Sequence, residues 1–224
     1  LPKMLEGMYE DRKKFKKMML AAKQEYENET DESKKYDIEK RIARYDNLQL
    51  AKKVSLNSAY GALGSQYFRF YDLRMALGVT SAGQLSIRWI EAKINQYMNQ
   101  VLSTDKVDYV IASDTDSIYL RLGDLVKKVY GADGVVQLPG QKVIEFMDRV
   151  CETRIQPYID QSYKELATYM NAYAQKMQMK REGLSNKGIW TAKKRYILNV
   201  YNNEGVQYRE PELKVMGLEM VKSS

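Results

Sequence analysis

Apolar residues recur at helical spacing through the first sixty residues of the chain, and glycine and proline are nearly absent there. The polar segment 28–33 divides this stretch, so the pattern predicts two long helices joined by a short turn. Gly61 and Gly64 are expected to end the second helix. Two such helices form an antiparallel hairpin. The apolar positions are Leu5, Met8, Phe15, Met18, Met19 and Ala22 in the first helix, and Tyr36, Ile38, Ile42, Tyr45, Leu48 and Leu56 in the second.

Two short apolar runs in the middle of the chain have the length and composition of strands. Residues 109–112 and 117–122 flank Ser113-Asp114-Thr115-Asp116, which is typical of a hairpin turn. Before them, the aromatic segment 67–71 favours an extended conformation. Residues 76–102 are expected to form a helix. Its inward positions are Leu85, Trp89, Ile90, Ile94 and Met98.

The second half of the chain predicts a variable loop over residues 123–140 and helices over 141–177, interrupted near Pro157. Residues 190–201 and 207–216 resemble strands on either side of Asn202-Asn203-Glu204-Gly205, a strong turn signal. The predicted fold class is therefore α+β. A small antiparallel sheet would be covered by helices, with the two-helix hairpin projecting from this body.

The amino-acid composition limits which ligands and which kinds of catalysis are possible for this protein. The 224 residues carry a formal net charge of +7, which favours polyanionic partners such as nucleic acid. There is one cysteine and no histidine, so zinc fingers and histidine catalysis are excluded and an intracellular setting is the default. Any metal ion must be held by oxygen ligands. No apolar run reaches the roughly 20 residues of a membrane span. Because the first residue is Leu1, the chain is expected to be a piece of a longer protein.

Asp114 and Asp116 are the strongest candidates for a metal site. Two carboxylates at one hairpin tip repel each other unless a cation lies between them. Phosphoryl transfer uses such sites to hold divalent ions. The alternative is that aspartate simply favours turns.

Three basic groups could contact phosphate. Lys53, Asn57 and Tyr60 fall on one face of the second predicted helix, and Arg12 and Lys16 lie four residues apart on the first. A third group, Lys193-Lys194-Arg195-Tyr196, is expected within a strand that could place cations along a nucleic acid backbone. Taken alone, each of these groups is more often a solvated helix face or an ordinary amphipathic strand with an exposed basic rim.

The motifs occur together and in the order found in family B DNA polymerases. Residues 53–61 fit the K-x-x-x-N-S-x-Y-G motif of that family, residues 113–117 resemble Y-G-D-T-D-S, and residues 193–196 resemble K-K-R-Y. Segments 61–64, 68–74 and 216–219 are similar to the family members of T-even-type and marine phages. Two departures are visible, since Ala112-Ser113 stand in place of Tyr-Gly, and Lys180 stands where related phage enzymes often carry an acid.

The resemblance implies a role for each of these positions. Asp114 and Asp116 would bind metal in the palm, with Glu182 matching an acidic palm residue near that site. The incoming triphosphate would be bound by residues of the fingers, with Lys53 also donating a proton to the departing pyrophosphate. Tyr60 would pack under the nascent base pair, and the segment 193–196 would contact the primer. The implied nucleotide-binding residues are Arg12, Lys16, Lys53, Asn57 and Tyr60, and the implied DNA-binding residues are Lys193, Lys194, Arg195 and Tyr196.

The resemblance further implies that residues 1–62 are the fingers hairpin and residues 63–224 a partial palm. The reaction would be template-directed transfer of a nucleotide from a dNTP to a primer 3′ hydroxyl, assisted by two Mg²⁺ ions that Mn²⁺ can replace. The implied partners are primer–template DNA, dNTP and the polymerase segments that this sequence lacks, namely the exonuclease, the upstream palm with another essential aspartate, and the thumb. The expected location is the cytoplasm of an infected host cell, with the fragment inactive alone.

Two other functions remain open at this point. The chain could be a non-catalytic module that binds nucleic acid through its basic hairpin and the 193–196 segment, in which case Asp114 and Asp116 would not matter for binding. It could also be a structural helical hairpin with accidental motif matches and no affinity for DNA.

Overall fold

The computed structural model describes residues 2–131 and 140–217, and its described part is a mixture of helices and two small antiparallel sheets. This confirms the predicted α+β class. Contacts along the chain divide it into two compact units. The first comprises Leu1–Val79 and Asn202–Glu212, and the second comprises Thr80–Tyr201 and Leu213–Ser224.

Two long helices dominate the first unit, α1 (Pro2–Asn28) and α2 (Glu32–Leu63). Asp31 caps α2 by accepting a hydrogen bond from the Ser33 backbone N–H. Ion pairs run between the helices in opposite order along the chain, Glu25 with Arg41 and Asp11 with Lys52. The predicted antiparallel hairpin is therefore confirmed.

The ends of these elements differ from the sequence expectation in two places. Gly61 lies inside α2, and only Gly64 acts as the C-cap, with its N–H bonded to the carbonyl groups near the end of the helix. Residues 67–71 form successive turns rather than an extended segment. A backbone bond from Asp72 N to Leu63 O closes this loop at 3.1 Å, so the aromatic residues are on a compact connection.

The second unit has its core around the C-terminal part of α3 (Leu73–Leu102). Ile90, Ile94 and Met98 are fully buried, as predicted, and Trp89 is half-buried with its indole N–H donating to the Ser162 carbonyl at 2.9 Å. Leu85 is 37% exposed, so its predicted inward position is wrong.

The strands β1 (Val110–Asp114) and β2 (Ser117–Leu120) pair antiparallel, with Asp114 opposite Ser117. The register shifts between Val110 and Ala112, where Ile111 is the extra residue of a bulge. The hairpin predicted for this segment is therefore confirmed, although β2 ends at Leu120, two residues earlier than expected.

Helices replace much of the loop that the sequence predicted after β2. Residues Gly123–Tyr130 form α4, with Leu125 and Val126 in the core, and the remainder of that predicted loop, 132–139, is outside the described residues. Further on, α5 (Gly140–Val150) and α6 (Gln156–Tyr169) are joined by a π-helical turn, Cys151–Ile155. Pro157 lies two residues after the end of this π-helical turn, and the helical backbone continues through it without a break.

The last three strands form a sheet in the order β3-β4-β5, with β3 (Gly183–Ala192), β4 (Arg195–Asn203) and β5 (Val206–Met216). The predicted turn at 202–205 is confirmed at Glu204-Gly205, where both residues have positive φ. The single strand expected over residues 190–201 is wrong. A turn at Lys193-Lys194 divides it, because Lys194 adopts a left-handed conformation with φ of 63°.

Candidate functional site

The acidic hairpin presents two carboxylates at its tip. Asp114 is the last residue of β1, and Asp116 follows in the turn, where it is exposed. Thr115 between them has φ of 43° and its hydroxyl donates to Asp114 Oδ1 at 3.0 Å. The hydroxyl of Ser117 donates to the Asp114 carbonyl at 3.2 Å. These local bonds hold the turn through side chains that favour such conformations.

Two asparagines of α3 hold the chain where it enters the acidic hairpin. Asn95 Oδ1 accepts hydrogen bonds from the backbone N–H groups of Tyr109 at 2.8 Å and Val110 at 3.3 Å. Asn99 Oδ1 accepts from Val107 N at 3.0 Å. Sequence reasoning missed this anchor. Its signal was the pair of asparagines four residues apart inside a helix, where asparagine is otherwise unfavourable.

The turn that carries Lys193 and Lys194, called the basic turn below, lies beside the acidic hairpin. Lys194 Nζ is 3.8 Å from Asp114 Oδ1, with side chains 63% and 29% exposed. The structure thus brings together two of the residue groups that the sequence singled out. A pair this exposed contributes little to stability, so its importance lies in the charge it places next to the carboxylate.

Gly217 fixes the basic turn from the other side. Its φ is +66°, and a Cβ at this position would overlap the carbonyl oxygen of Lys194. Glycine is therefore required both for the backbone conformation and for the close approach. The sequence singled out the segment 216–219 without indicating this packing.

An aromatic cluster next to the basic turn joins the acidic hairpin to the hairpin formed by β3 and β4. The ring centroid of Tyr119 on β2 lies 5.3 Å from that of Trp190 and 5.5 Å from that of Tyr196, both in edge-to-face geometry. Trp190 and Tyr196 are themselves 6.2 Å apart. Tyr196 is 8% exposed, so most of its ring packs against protein. Such pairs add stability beyond the area they bury.

Burial is the main reason why the pKa of Tyr119 rises to about 12. A hydrogen bond with Tyr196 raises it further, whereas one with Ser117 lowers it, and the nearby carboxylate of Glu182 adds a smaller increase. The phenol is therefore neutral at physiological pH, and its hydroxyl links the acidic hairpin to β4.

Glu182, the third acidic candidate, is engaged in an ion pair. Its Oε1 accepts from Lys214 Nζ at 2.8 Å, and its side chain is mostly exposed. Across residues 2–131 and 140–217, no three acidic or thiol side chains converge as a metal-binding group. Asp114 and Asp116 are the two carboxylates of the acidic hairpin tip, and carboxylate oxygens are ligands that could hold a divalent cation such as Mg²⁺.

In the first unit, Lys53, Asn57 and Tyr60 are all exposed on α2. Their neighbour Lys52 differs, because its Nζ donates to Asp11 Oδ2 at 2.8 Å across the hairpin. Asp11 of α1 therefore pairs with Lys52, and Lys53 lies outside this ion pair. The spacing predicted one shared face for the three residues, and the helix confirms it.

Arg12 and Lys16 both lie half-buried on α1. Lys16 Nζ donates to Glu204 Oε1 at 2.5 Å, and Glu204 lies at the tip of the β4–β5 hairpin. The same hairpin contacts α1 further along, where Gln207 N donates to Gln24 Oε1 at 2.8 Å and Arg209 donates to the Asn28 carbonyl at 2.8 Å. Sequence reasoning did not find this contact, since nothing local relates residues so far apart.

No helix within the described segments is both long enough and apolar enough to cross a membrane.

Fold and side chains define an α+β protein with an acidic hairpin, an adjoining basic turn and a helical hairpin rich in lysine. The carboxylates of the acidic hairpin suit divalent cations, whereas the basic turn and the helical hairpin suit polyanionic ligands. The chain belongs to DNA polymerase family B, whose model matches residues 1–132.

Two phage proteins, each named DNA-directed DNA polymerase, are similar to most of the chain. The one from Enterobacteria phage T4 is 42% identical over 197 residues, which is 84% of this chain and 22% of that protein. The one from Escherichia phage RB69 is 43% identical over 185 residues, 79% of this chain and 20% of that protein. The DNA polymerase alpha catalytic subunit of Trypanosoma brucei brucei is 32% identical over 130 residues, 57% of the chain and 8% of that protein. The chain thus spans about one fifth of the length of its phage relatives.

Proposed function

We propose that the chain is the part of a DNA-directed DNA polymerase that supplies the metal-binding carboxylates and the cations for the incoming nucleotide. The observation that carries this proposal is the acidic hairpin tip, where Asp114 lies within reach of the basic turn. Family membership supports it, because the phage relatives with this name match most of the chain.

In the proposed reaction, the oxygen of a primer 3′ hydroxyl forms a bond to the α-phosphorus of a dNTP, while the bond between the α-phosphorus and the bridging oxygen breaks. Pyrophosphate leaves and the hydroxyl proton is lost to solvent or a base. Asp114 and Asp116 hold divalent cations, two Mg²⁺ ions in our proposal, with Mn²⁺ as a substitute. Divalent cations held there would supply Lewis acidity at the attacking oxygen and positive charge for the leaving group.

Three cations of the first unit, the exposed Lys53 and the half-buried Lys16 and Arg12, bind the triphosphate in this proposal. Lys53 and Lys16 provide point charges, and Arg12 offers a planar fork that matches phosphate oxygens. Asn57 adds hydrogen bonds one turn from Lys53, and Lys53 protonates the departing pyrophosphate. Tyr60 packs under the nascent base pair, since an exposed aromatic ring provides a stacking surface.

The primer strand is assigned to Lys193, Lys194 and Arg195, which are exposed, and to Tyr196, which is 8% exposed. Lysines in a tight turn can contact successive phosphates without reading sequence. Glu182 remains a proposed acidic neighbour of the metal site, and binding there would require it to leave Lys214.

We assign residues 1–62 to the fingers and 63–224 to a partial palm. Primer–template DNA and dNTP are the proposed substrates, and the polymerase segments beyond the matched fifth of the relatives are the proposed partners for activity. By analogy with the phage relatives, the proposed site of action is the cytoplasm of an infected cell, and the chain alone is proposed to be inactive.

A chimaera tests the function, with this chain in place of the segment it matches in the phage T4 polymerase. The expected result is primer extension that falls by about a thousandfold or more in Asp116→Asn. Asp105→Asn removes an exposed acid in the same unit and should extend primers at the unmodified rate. A folded chimaera that binds DNA without any extension, or one indifferent to Asp116, would instead support a non-catalytic nucleic-acid-binding module.

A further inference from the structure

The acidic hairpin and the basic turn are joined by two different kinds of contact. One is the ion pair between Asp114 and Lys194, at 3.8 Å. The other is the aromatic cluster, in which the ring centroid of Tyr119 lies 5.3 Å from that of Trp190 and 5.5 Å from that of Tyr196. Tyr119 is only three residues from Asp116, and Tyr196 only two from Lys194. Both contacts therefore span the same pair of hairpins close to their tips.

The ion pair makes Lys194 a competitor for any cation at Asp114. A divalent ion on this carboxylate would repel the ammonium group and remove its partner at once. Lys194 is 63% exposed, so solvent is available to its ammonium group when the ion pair opens. The released ammonium would then be available for a phosphate oxygen of a DNA strand.

The aromatic cluster decides how far the turn moves when the ion pair opens. Tyr196 is buried against Tyr119, and the carbonyl of Lys194 is held against Gly217. The backbone of the basic turn therefore has packing contacts on both sides, whereas the Lys194 side chain is mostly exposed. Without Tyr119, the turn would lose its link to β2 and the released lysine would lose its fixed position.

We propose that Tyr119 is a positioning residue that couples cation binding at Asp114 and Asp116 to DNA binding at the basic turn. This inference rests on the proposed function. The cation frees Lys194, and Tyr119 keeps the turn in register with the hairpin, so a cation and a DNA strand bind cooperatively. Coupling between two ligands is reciprocal, so each must increase the affinity for the other by the same factor.

The test uses the full chain with Mn²⁺ and a primer–template duplex whose primer ends in a dideoxynucleotide. Fluorescence anisotropy gives the Kd for DNA with and without Mn²⁺, and electron paramagnetic resonance gives the Kd for Mn²⁺ with and without DNA. In the unmodified chain, each ligand is expected to lower the Kd of the other by about fivefold or more, and this ratio is the coupling factor. Factors near one would overturn the inference.

Tyr119→Leu removes the ring and the hydroxyl. It should reduce the coupling factor to near one, while Mn²⁺ affinity without DNA stays within about twofold. Tyr97→Leu is the matched control, because Tyr97 also packs in a ring pair of the second unit, with its ring centroid 4.5 Å from that of Tyr158 on α6. The Tyr97→Leu chain should retain the coupling factor of the unmodified chain. A Tyr119→Leu chain that keeps the factor, or that loses Mn²⁺ binding itself, would overturn the positioning role.

Tyr119→Phe keeps the ring and provides a second measurement if the leucine variant does not fold. Loss of the hydroxyl bonds to Ser117 and Tyr196 should lower the factor to about twofold. An unchanged factor would contradict the inference. Asp116→Asn separates this result from the proposed function. If that variant binds Mn²⁺ as well as the unmodified chain, the proposed metal site itself is wrong.

Discussion

Lys16 Nζ donates a hydrogen bond of 2.5 Å to Glu204 Oε1, so one of the cations assigned to the triphosphate is paired with a carboxylate of the β4–β5 hairpin. Both side chains are about one-third exposed or less. A triphosphate can use Lys16 only by displacing this carboxylate. If Lys16 binds the triphosphate as proposed, Glu204 competes with the nucleotide for its ammonium group.

Glu204→Gln should strengthen dNTP binding, because an amide competes less well than a carboxylate for the ammonium group. We expect a decrease in Kd of about two- to fivefold, measured by equilibrium dialysis with a labelled dNTP. Glu210→Gln changes an exposed acid on the following strand and should leave the Kd unchanged. Weaker binding in Glu204→Gln would show that the pair supports the site rather than competes with it.

Lys53→Met should weaken dNTP binding by about tenfold, since a charge-assisted contact to phosphate is lost. Lys52→Met is the control one residue away. Lys52 is paired with Asp11 across the hairpin, so its loss should lower the free energy of unfolding slightly and leave nucleotide affinity unchanged. Equal effects of the two substitutions on the Kd would argue against a specific role for Lys53.

Gly217→Ala should destabilise the protein by about 1 kcal/mol or more, because alanine would need positive φ and would overlap the Lys194 carbonyl. The displaced basic turn should also bind DNA more weakly. Gly78→Ala, within α3 and with open space around it, should instead stabilise by about 0.5–1 kcal/mol. Urea denaturation gives both values. Similar stability changes in the two variants would contradict the close packing at Gly217.

The pKa of Tyr119, raised to about 12 by burial and by its bond to Tyr196, predicts a pH dependence of stability. A folded-state pKa above the ordinary value of 10 means that the protonated phenol stabilises the fold fully below about pH 10. That contribution is lost as the pH rises from 10 towards 12. Unfolding free energies from pH 9 to 11.5 should therefore fall more steeply in the unmodified chain than in Tyr119→Phe. Parallel curves would contradict the prediction.

The sequence predicted what depends on local pattern. Periodic apolar positions identified the two helices of the hairpin, and two short apolar runs around Asp114-Thr115-Asp116 identified the acidic hairpin. The turn at Lys193-Lys194 was missed because it contains none of the usual turn residues, and lysine adopts the left-handed conformation only with support from the surrounding packing.

What the sequence could not predict depends on residues far apart in the chain. The pairing of Lys16 with Glu204 joins positions 188 residues apart. The overlap of Gly217 with the Lys194 carbonyl and the packing of Tyr119 on Tyr196 likewise arise from tertiary structure. Residues 123–140 were predicted as a loop because Gly131, Gly134, Pro139 and Gly140 suggested irregular structure. The packing of Leu125 and Val126 in the core favours helix α4 instead.

Mn²⁺ binding at the acidic hairpin tests the central claim most directly. Electron paramagnetic resonance should show Mn²⁺ bound by the chimaera in the presence of primer–template and a non-hydrolysable dNTP. In Asp116→Asn the Kd for Mn²⁺ should rise by about tenfold or more, with no change in Asp105→Asn. Equal Mn²⁺ affinity in the unmodified protein and Asp116→Asn would contradict the assignment of Asp114 and Asp116 as the metal ligands.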